Sequence, residues 1–212
     1  MESSLPVVEC FHSLQGEGKH AGRSAYFIRL ASCKVGCPWC DTKQSWEIKD
    51  HPQKSIIELS KSANQAREKG AAFVVITGGE PLHHNLNNLN KAIRQTTKKT
   101  IQEPMPIHIE TSGVDSISGN PDWITLSPKQ HAPPKIEVLE SCHELKVIIN
   151  TKDDLLFAES MLKTIDSKQQ QPILFLQAGW NNKTAQELAF DYVKKHSKWR
   201  LSMQTHKWLG VL

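Results

Sequence analysis

Short apolar runs rich in β-branched residues alternate along the chain with segments whose apolar residues recur every three to four positions. The runs at 25–31 (AYFIRLA), 72–77 (AFVVIT), 106–111 (PIHIET), 123–127 (WITLS), 144–149 (ELKVII) and 173–177 (ILFLQ) each predict a strand. Two more, at 7–13 and 199–204, predict edge strands. Ser55 and Glu58 have capping-box spacing ahead of a helix, and Gly70 suits its left-handed end. Asn85 is placed to cap a second helix with a stripe of Leu86, Leu89 and Ile93. Thr184 and Glu187 predict a third, whose face is Ala185, Leu188, Ala189, Tyr192 and Val193.

Near-continuous apolar strands alternating with amphipathic helices predict an α/β fold, a mostly parallel sheet covered by helices. A complete eight-unit barrel takes about 250 residues, and this chain has 212. The expectation is an open, partial β/α barrel of about six strands. No repeat or linker interrupts it, so residues 1–212 are expected to form a single domain. Chemistry belongs at the strand exits, where TGGEP, ETSG, SPK and LQAG stand.

Composition narrows the partners. The net charge of +4 is scattered, which leans toward anionic small molecules and away from nucleic acid. No run reaches the roughly 18 apolar residues of a membrane span. The first residues, MESSLPVVEC, lack the basic and hydrophobic regions of a signal peptide. A cytoplasmic protein without membrane contact is expected. Five cysteines in a reducing compartment then point to metal or catalysis rather than disulfides. Cys10 and Cys142 stand alone and read as small buried apolar residues.

Cys33, Cys37 and Cys40 follow the first predicted strand in the spacing C-x3-C-x2-C. Such a loop can aim three thiolates at one centre. Structural zinc wants four ligands, and the nearest histidines, His20 and His51, have no finger-like spacing. A 4Fe-4S cluster usually takes four thiolates, so three leave one iron open to a small molecule. S-adenosylmethionine fits that opening through its amino and carboxylate groups. An electron from the cluster would then cleave a carbon–sulfur bond to give a 5′-deoxyadenosyl radical. Zinc with a distant fourth ligand remains the alternative on these residues alone.

Trp39 before the last cysteine, and GGEP at 78–81, resemble radical S-adenosylmethionine enzymes. With LQGEG at 14–18, CPWCDT at 37–42, ETSG at 110–113, SPK at 127–129 and WRLSMQTHKWLG at 199–210, the chain resembles the 7-carboxy-7-deazaguanine synthase family. The resemblance implies ring contraction of 6-carboxy-5,6,7,8-tetrahydropterin with loss of ammonia, on the route to the tRNA base queuosine. It implies a 4Fe-4S cluster on Cys33, Cys37 and Cys40, S-adenosylmethionine, and Mg2+ on Thr42. It also implies a homodimer, supplied with electrons by a flavodoxin-like or ferredoxin-like reductant.

By the same resemblance, substrate falls to Leu14, Gln15, Gly16, Glu17, Arg29, Thr77, His206 and the terminal Leu212. S-adenosylmethionine falls to Trp39, Cys40, Asp41, Gly79, Glu80, Ser112, Ser127, Pro128, Lys129 and Gln177. No catalytic side chain is implied beyond the cofactor radical. The C-terminal tail is expected to close the site. Taken on its own residues, Arg29 also reads as half of an internal salt bridge, LQGEG as a turn, Thr42 as a loop residue and Lys129 as solvated. Where the family commonly has proline after FLQ, this chain has Ala178-Gly179-Trp180. Two rival readings share parts of the pattern: a small activase that makes glycyl radicals, and a zinc-stabilised binding module.

Overall fold

The computed structural model describes residues 3–98, 103–165 and 171–211. Nine strands form: β1 (Ser4–Leu14), β2 (Ser24–Leu30), β3 (Gln53–Ser55), β4 (Phe73–Gly78), β5 (Ile107–Thr111), β6 (Trp123–Leu126), β7 (Glu144–Ile149), β8 (Ile173–Ala178) and β9 (Trp199–Ser202). They join one sheet in the order β3-β1-β2-β4-β5-β6-β7-β8-β9. β1 is antiparallel to both its neighbours, whereas β2 and β4 to β9 are all parallel.

All eight predicted runs are strands, but the sheet exceeds the expected six. β9 extends the parallel series. β3, only three residues long and too short for a period-two signal, covers the outer side of β1, so β1 is not an edge.

Six helices accompany the sheet: α1 (Ile56–Glu68), α2 (Asn87–Lys98), α3 (Ile136–Ser141), α4 (Lys152–Thr164), α5 (Lys183–Lys195) and α6 (Thr205–Leu209). Ser55 caps α1 by accepting from the Glu58 N–H at 3.1 Å, and Gly70 follows the helix at φ +101°. Asn85 accepts from the Asn87 N–H at 3.0 Å, and Leu86 is buried just ahead of α2. The predicted cap of α5 is two residues off. Asn182, not Thr184, accepts from the Ala185 N–H at 3.0 Å, and the predicted apolar stripe still faces the core. α4 is unpredicted. Its capping box pairs Thr151 with Asp154, where the usual pattern carries Glu or Gln.

Successive residues of a strand point to opposite faces. On the helix-covered face they are aliphatic. Ile28, Ile76 and Ile109 pack with Leu59, Leu89 and Ile93 of α1 and α2. Leu126, Leu145 and Leu176 pack with Leu139, Leu155 and Ala189 of α3, α4 and α5. Each such side chain contributes about 1.5–3 kcal/mol by leaving water.

The other face is only partly aliphatic, with Ala25 and Val75 buried beside Phe27 and Phe73, so the near-continuous apolar reading holds for part of it. Toward the N-terminal ends of the strands it carries a floor of rings. Phe73 stacks on His108 at 4.1 Å, His20 meets Trp123 edge-on at 4.6 Å, and Trp123 stacks on His143 at 4.9 Å. Further along, toward the C-terminal ends of the strands, come Arg29, Thr77, Glu110, Thr125, Lys146 and Gln177.

The barrel is left open because β1 and β9 do not pair; the chain leaving β1 bridges the gap instead. The Gly18 N–H donates to Ser202 Oγ at 3.2 Å, and the Gly16 carbonyl accepts from the Thr205 N–H at 3.0 Å. Among the described residues, no helix is long and apolar enough to cross a membrane.

Candidate active site

The C-terminal rim of the sheet encloses a cavity of about 790 Å3, within the range of small-molecule sites. Every residue that the sequence singled out for cluster, cofactor, metal or substrate lines it, except two. Pro128 is buried, but it lies between Ser127 and Lys129, which line the cavity while Pro128 does not. Leu212 lies outside the described residues.

The cysteine loop leaves β2 and folds back on itself. The Ser32 N–H donates to the Ser45 carbonyl at 2.8 Å, and the Cys40 N–H to the Cys37 carbonyl at 3.0 Å. This loop explains Gly79: a Cβ there would sit 2.2 Å from the Ser32 carbonyl oxygen and 3.1 Å from Cys33 Cβ. The GGEP glycines and the cysteine loop are thus one packing unit. Burial pushes the Cys33 and Cys37 thiols up, partly opposed at Cys37 by the nearby Lys129 ammonium. Burial holds Lys129 itself below the ordinary lysine range, and its Nζ donates to Ser127 Oγ at 2.8 Å.

Among the described residues, no three Cys, His, Asp or Glu side chains are close enough to hold one metal ion. Cys33, Cys37 and Cys40 nevertheless line one cavity, and three thiolates there would hold a 4Fe-4S cluster with one iron left open.

Glu80 is 1% exposed and fully engaged. One oxygen accepts from the Leu82 N–H at 3.0 Å and Thr111 Oγ1 at 2.5 Å; the other accepts from the N–H and Oγ of Ser112 at 2.7 and 2.5 Å. Four donors account for roughly all the lone pairs of a carboxylate. Glu80, a cofactor contact by the resemblance, therefore ties the exit of β4 to that of β5. His83 and His84, adjacent in sequence, diverge: one binds Asp115 at 2.5 Å, the other the Ala31 carbonyl at 2.8 Å. Beyond the cysteines, Thr42 Oγ1 donates to Asp41 Oδ1 at 3.1 Å, placing two hard oxygens together at the cavity wall.

The opposite wall is a chain of paired polar groups. Arg29 Nε donates to Glu9 Oε1 at 2.8 Å across the β1–β2 register pair, so the salt bridge exists. Arg29 lines the cavity with its guanidinium 5.9 Å from the Phe11 ring centroid, and among the described residues its terminal nitrogens make no other hydrogen bond or ion pair. Gln15 Nε2 donates to Glu110 Oε1 at 2.9 Å, and Thr77 Oγ1 to Glu110 Oε2 at 3.1 Å. Glu17 pairs with Lys146 through one oxygen and accepts from Gln204 Nε2 at 2.9 Å through the other. Burial alone would raise the Glu17 carboxyl, but Lys146 and Gln204 hold it below the usual range. The His206 ring lies on Gly16, where an added Cβ would meet its Nδ1 at 2.1 Å. LQGEG is therefore glycine at its centre to admit the tail. Burial, countered by Glu17, keeps His206 below the ordinary histidine range and hence neutral near pH 7.

Sequence reasoning missed Glu110, Lys146 and Gln204 as members of this wall. Glu110 stood in plain view in ETSG. Lys146 was signalled by the charges at alternate positions of ELKVII, an otherwise apolar strand. Gln204 carried no signal, because its role depends on how the tail folds back.

Comparisons with known proteins agree with this geometry. Residues 14–119 match a family model described as a 4Fe-4S single cluster domain. The chain is similar to the 7-carboxy-7-deazaguanine synthase of Prochlorococcus marinus, 58% identical over the whole of both chains. It is 32% identical to the synthase of that name from Escherichia coli, over 97% of this chain and 98% of that one. Among solved structures it superposes on QueE from Escherichia coli with a TM-score of 0.81, at 30% identity, covering 95% of this chain and 94% of that one.

Proposed function

The chain belongs to the 7-carboxy-7-deazaguanine synthase family, and we propose that the rim cavity converts 6-carboxy-5,6,7,8-tetrahydropterin to 7-carboxy-7-deazaguanine with loss of ammonia. The carrying observation is the meeting, in one cavity, of the three-cysteine loop and the Arg29–Glu17–Glu110 wall. A three-thiolate cluster supplies, when bound, the electron that cleaves S-adenosylmethionine to an organic radical.

The chain's own residues divide the space. The cysteine loop, Gly79, Ser112, Ser127, Lys129 and Gln177 form the cofactor side. Glu80 supports that side rather than binding the amine, which leaves the amine to main-chain carbonyls near Gly79. On the substrate side, the free Nη atoms of Arg29 take the substrate carboxylate as a two-pronged pair. Gln15, Glu17 and Thr77 meet the pterin ring, and His206 covers it. Thr42, beside Asp41, offers an oxygen to Mg2+, which uses few protein ligands beside substrate oxygens. The tail closes the site: α6 follows β9 directly, and Gln204, Thr205 and His206 all contact Gly16–Glu17. A homodimer, a flavodoxin-like or ferredoxin-like electron donor and a cytoplasmic location complete the reading.

The direct test is anaerobic incubation of reconstituted, reduced protein with the carboxytetrahydropterin, S-adenosylmethionine and Mg2+. Product with released ammonia supports the reading. Cofactor cleavage without any product would remove it. Removing residues 208–211 together with Leu212 should raise unproductive cofactor cleavage relative to product; unchanged coupling would mean the tail is only packing.

A further inference from the structure

Lys146 is 5% exposed, lies on the inward face of β7 and lines the cavity. An ammonium carries three N–H donors. One goes to Glu17, and among the described residues the other two have no acceptor. Two of its N–H donors therefore remain available to a group entering the cavity. Burial works against the charge on Lys146. The carboxylates of Glu17, Glu110 and Glu144 outweigh it and hold the ammonium above the ordinary lysine range. A donor that cannot be neutralised therefore stands directly beside an acceptor, Glu17, whose position it fixes.

We propose that Lys146 and Glu17 form a donor–acceptor pair that reads the lactam edge of the pterin, with Lys146 donating to the ring carbonyl and Glu17 accepting from the neighbouring N–H. The pair complements an oxo group beside a ring N–H. It opposes an amino group in place of the oxo, because two donors would then face each other. This rests on the proposed function and assigns Lys146 a recognition role within it.

The test uses two stable probes, pterin-6-carboxylate and 2,4-diaminopteridine-6-carboxylate, titrated against reconstituted protein without reductant. Wild type should prefer the oxo compound. Lys146→Met should lose about 10- to 150-fold in affinity for it, the worth of one charge-assisted hydrogen bond, while its affinity for the diamino compound stays within about 3-fold. If Lys146→Met binds both probes as wild type does, the lysine is a structural counter-ion and the inference fails. Cluster content and melting temperature establish that the variant is folded. Should it not fold, Glu17→Gln keeps the shape and should weaken the oxo compound, which carries the ring N–H, more than the diamino compound, which lacks it; no change in either would equally overturn the pair. Wild-type protein that binds neither probe would instead remove the functional reading beneath it.

Discussion

The inward face of the sheet changes character from one end of the strands to the other, and the two ends of that face answer to different demands. At the floor, Phe73 stacks on His108, which lies tilted 6.1 Å from Trp123, with Arg23 over the Phe73 ring at 5.0 Å. At the rim, Thr77, Glu110 and Thr125 on the same strands line an open cavity. The floor needs only to exclude water, so rings suffice. The rim must hold ions and dipoles away from bulk water, and each is paired: Glu110 by Gln15 and Thr77, Glu17 by Lys146 and Gln204, Arg29 by Glu9. Rim substitutions should therefore cost activity and spare stability, and floor substitutions should do the reverse.

The largest effect should come from the rim's cysteine loop. Cys33→Ala, Cys37→Ala and Cys40→Ala should each abolish turnover, and reconstitution should no longer give about four irons and four sulfides. Cys142→Ala should keep both. Cys142 is buried and donates to the Leu139 carbonyl at 3.1 Å, away from the cavity. A Cys37→Ala protein with full iron and normal activity would remove the loop from the chemistry.

Next comes the floor. Phe73 is 0% exposed, and Phe73→Ala should destabilise by about 3–5 kcal/mol in a denaturant titration. Any protein that survives should bind S-adenosylmethionine normally. Acid should find the same layer. Burial, helped by His20 and Arg23, pushes His108 down from 6.5 to about 3. The unfolded chain therefore binds the proton more readily than the native one. The stability His108 supplies by staying neutral is complete above about pH 6.5 and is lost progressively as pH falls toward 3. His108→Phe should flatten that acid slope. An unchanged slope would mean that other groups govern acid unfolding.

At the substrate wall, Arg29→Lys keeps the charge but loses the planar fork. Affinity for the carboxytetrahydropterin should fall about 10- to 150-fold, the equivalent of roughly 1.5–3 kcal/mol. Melting temperature and S-adenosylmethionine binding should barely move. Loss of the cofactor with retained pterin affinity would assign the residue to the other ligand.

The contrast also separates what was legible in the sequence from what was not. Strand positions came from local pattern, and so did the motifs at strand exits. Pairing across the cavity did not. Glu80 looked like a free acceptor because its four donors come from Leu82, Thr111 and Ser112, two of them some thirty residues away. Arg29 looked like either a clamp or a salt bridge; it makes the bridge through Nε and leaves the rest of its fork over. The ring floor was invisible for the same reason. Its histidines are spread over His20, His108 and His143 and meet only when the sheet curls. Local periodicity reports which way a side chain points, and says nothing of what waits there.

The smallest effect should be at Thr42, and it is the finest test of the rim's design. Its hydroxyl already donates to Asp41 Oδ1, and Asp41 Oδ2 accepts from Lys207 of α6 at 2.5 Å. Asp41 is therefore engaged on both oxygens, and a metal ion near it gains most from the Thr42 oxygen, the substrate and water. A hydroxyl is a modest ligand for Mg2+. Thr42→Ala should weaken the dependence of turnover on Mg2+ by a few-fold, leave the cluster spectrum unchanged and spare much of the activity at saturating metal. Because the hydroxyl also orients Asp41, the variant should loosen the Asp41–Lys207 contact that helps to seat the tail. Thr42→Ser, which keeps the oxygen, should restore both. Mg2+ dependence identical in Thr42→Ala and wild type would move the metal elsewhere and leave Thr42 as part of the loop's own packing.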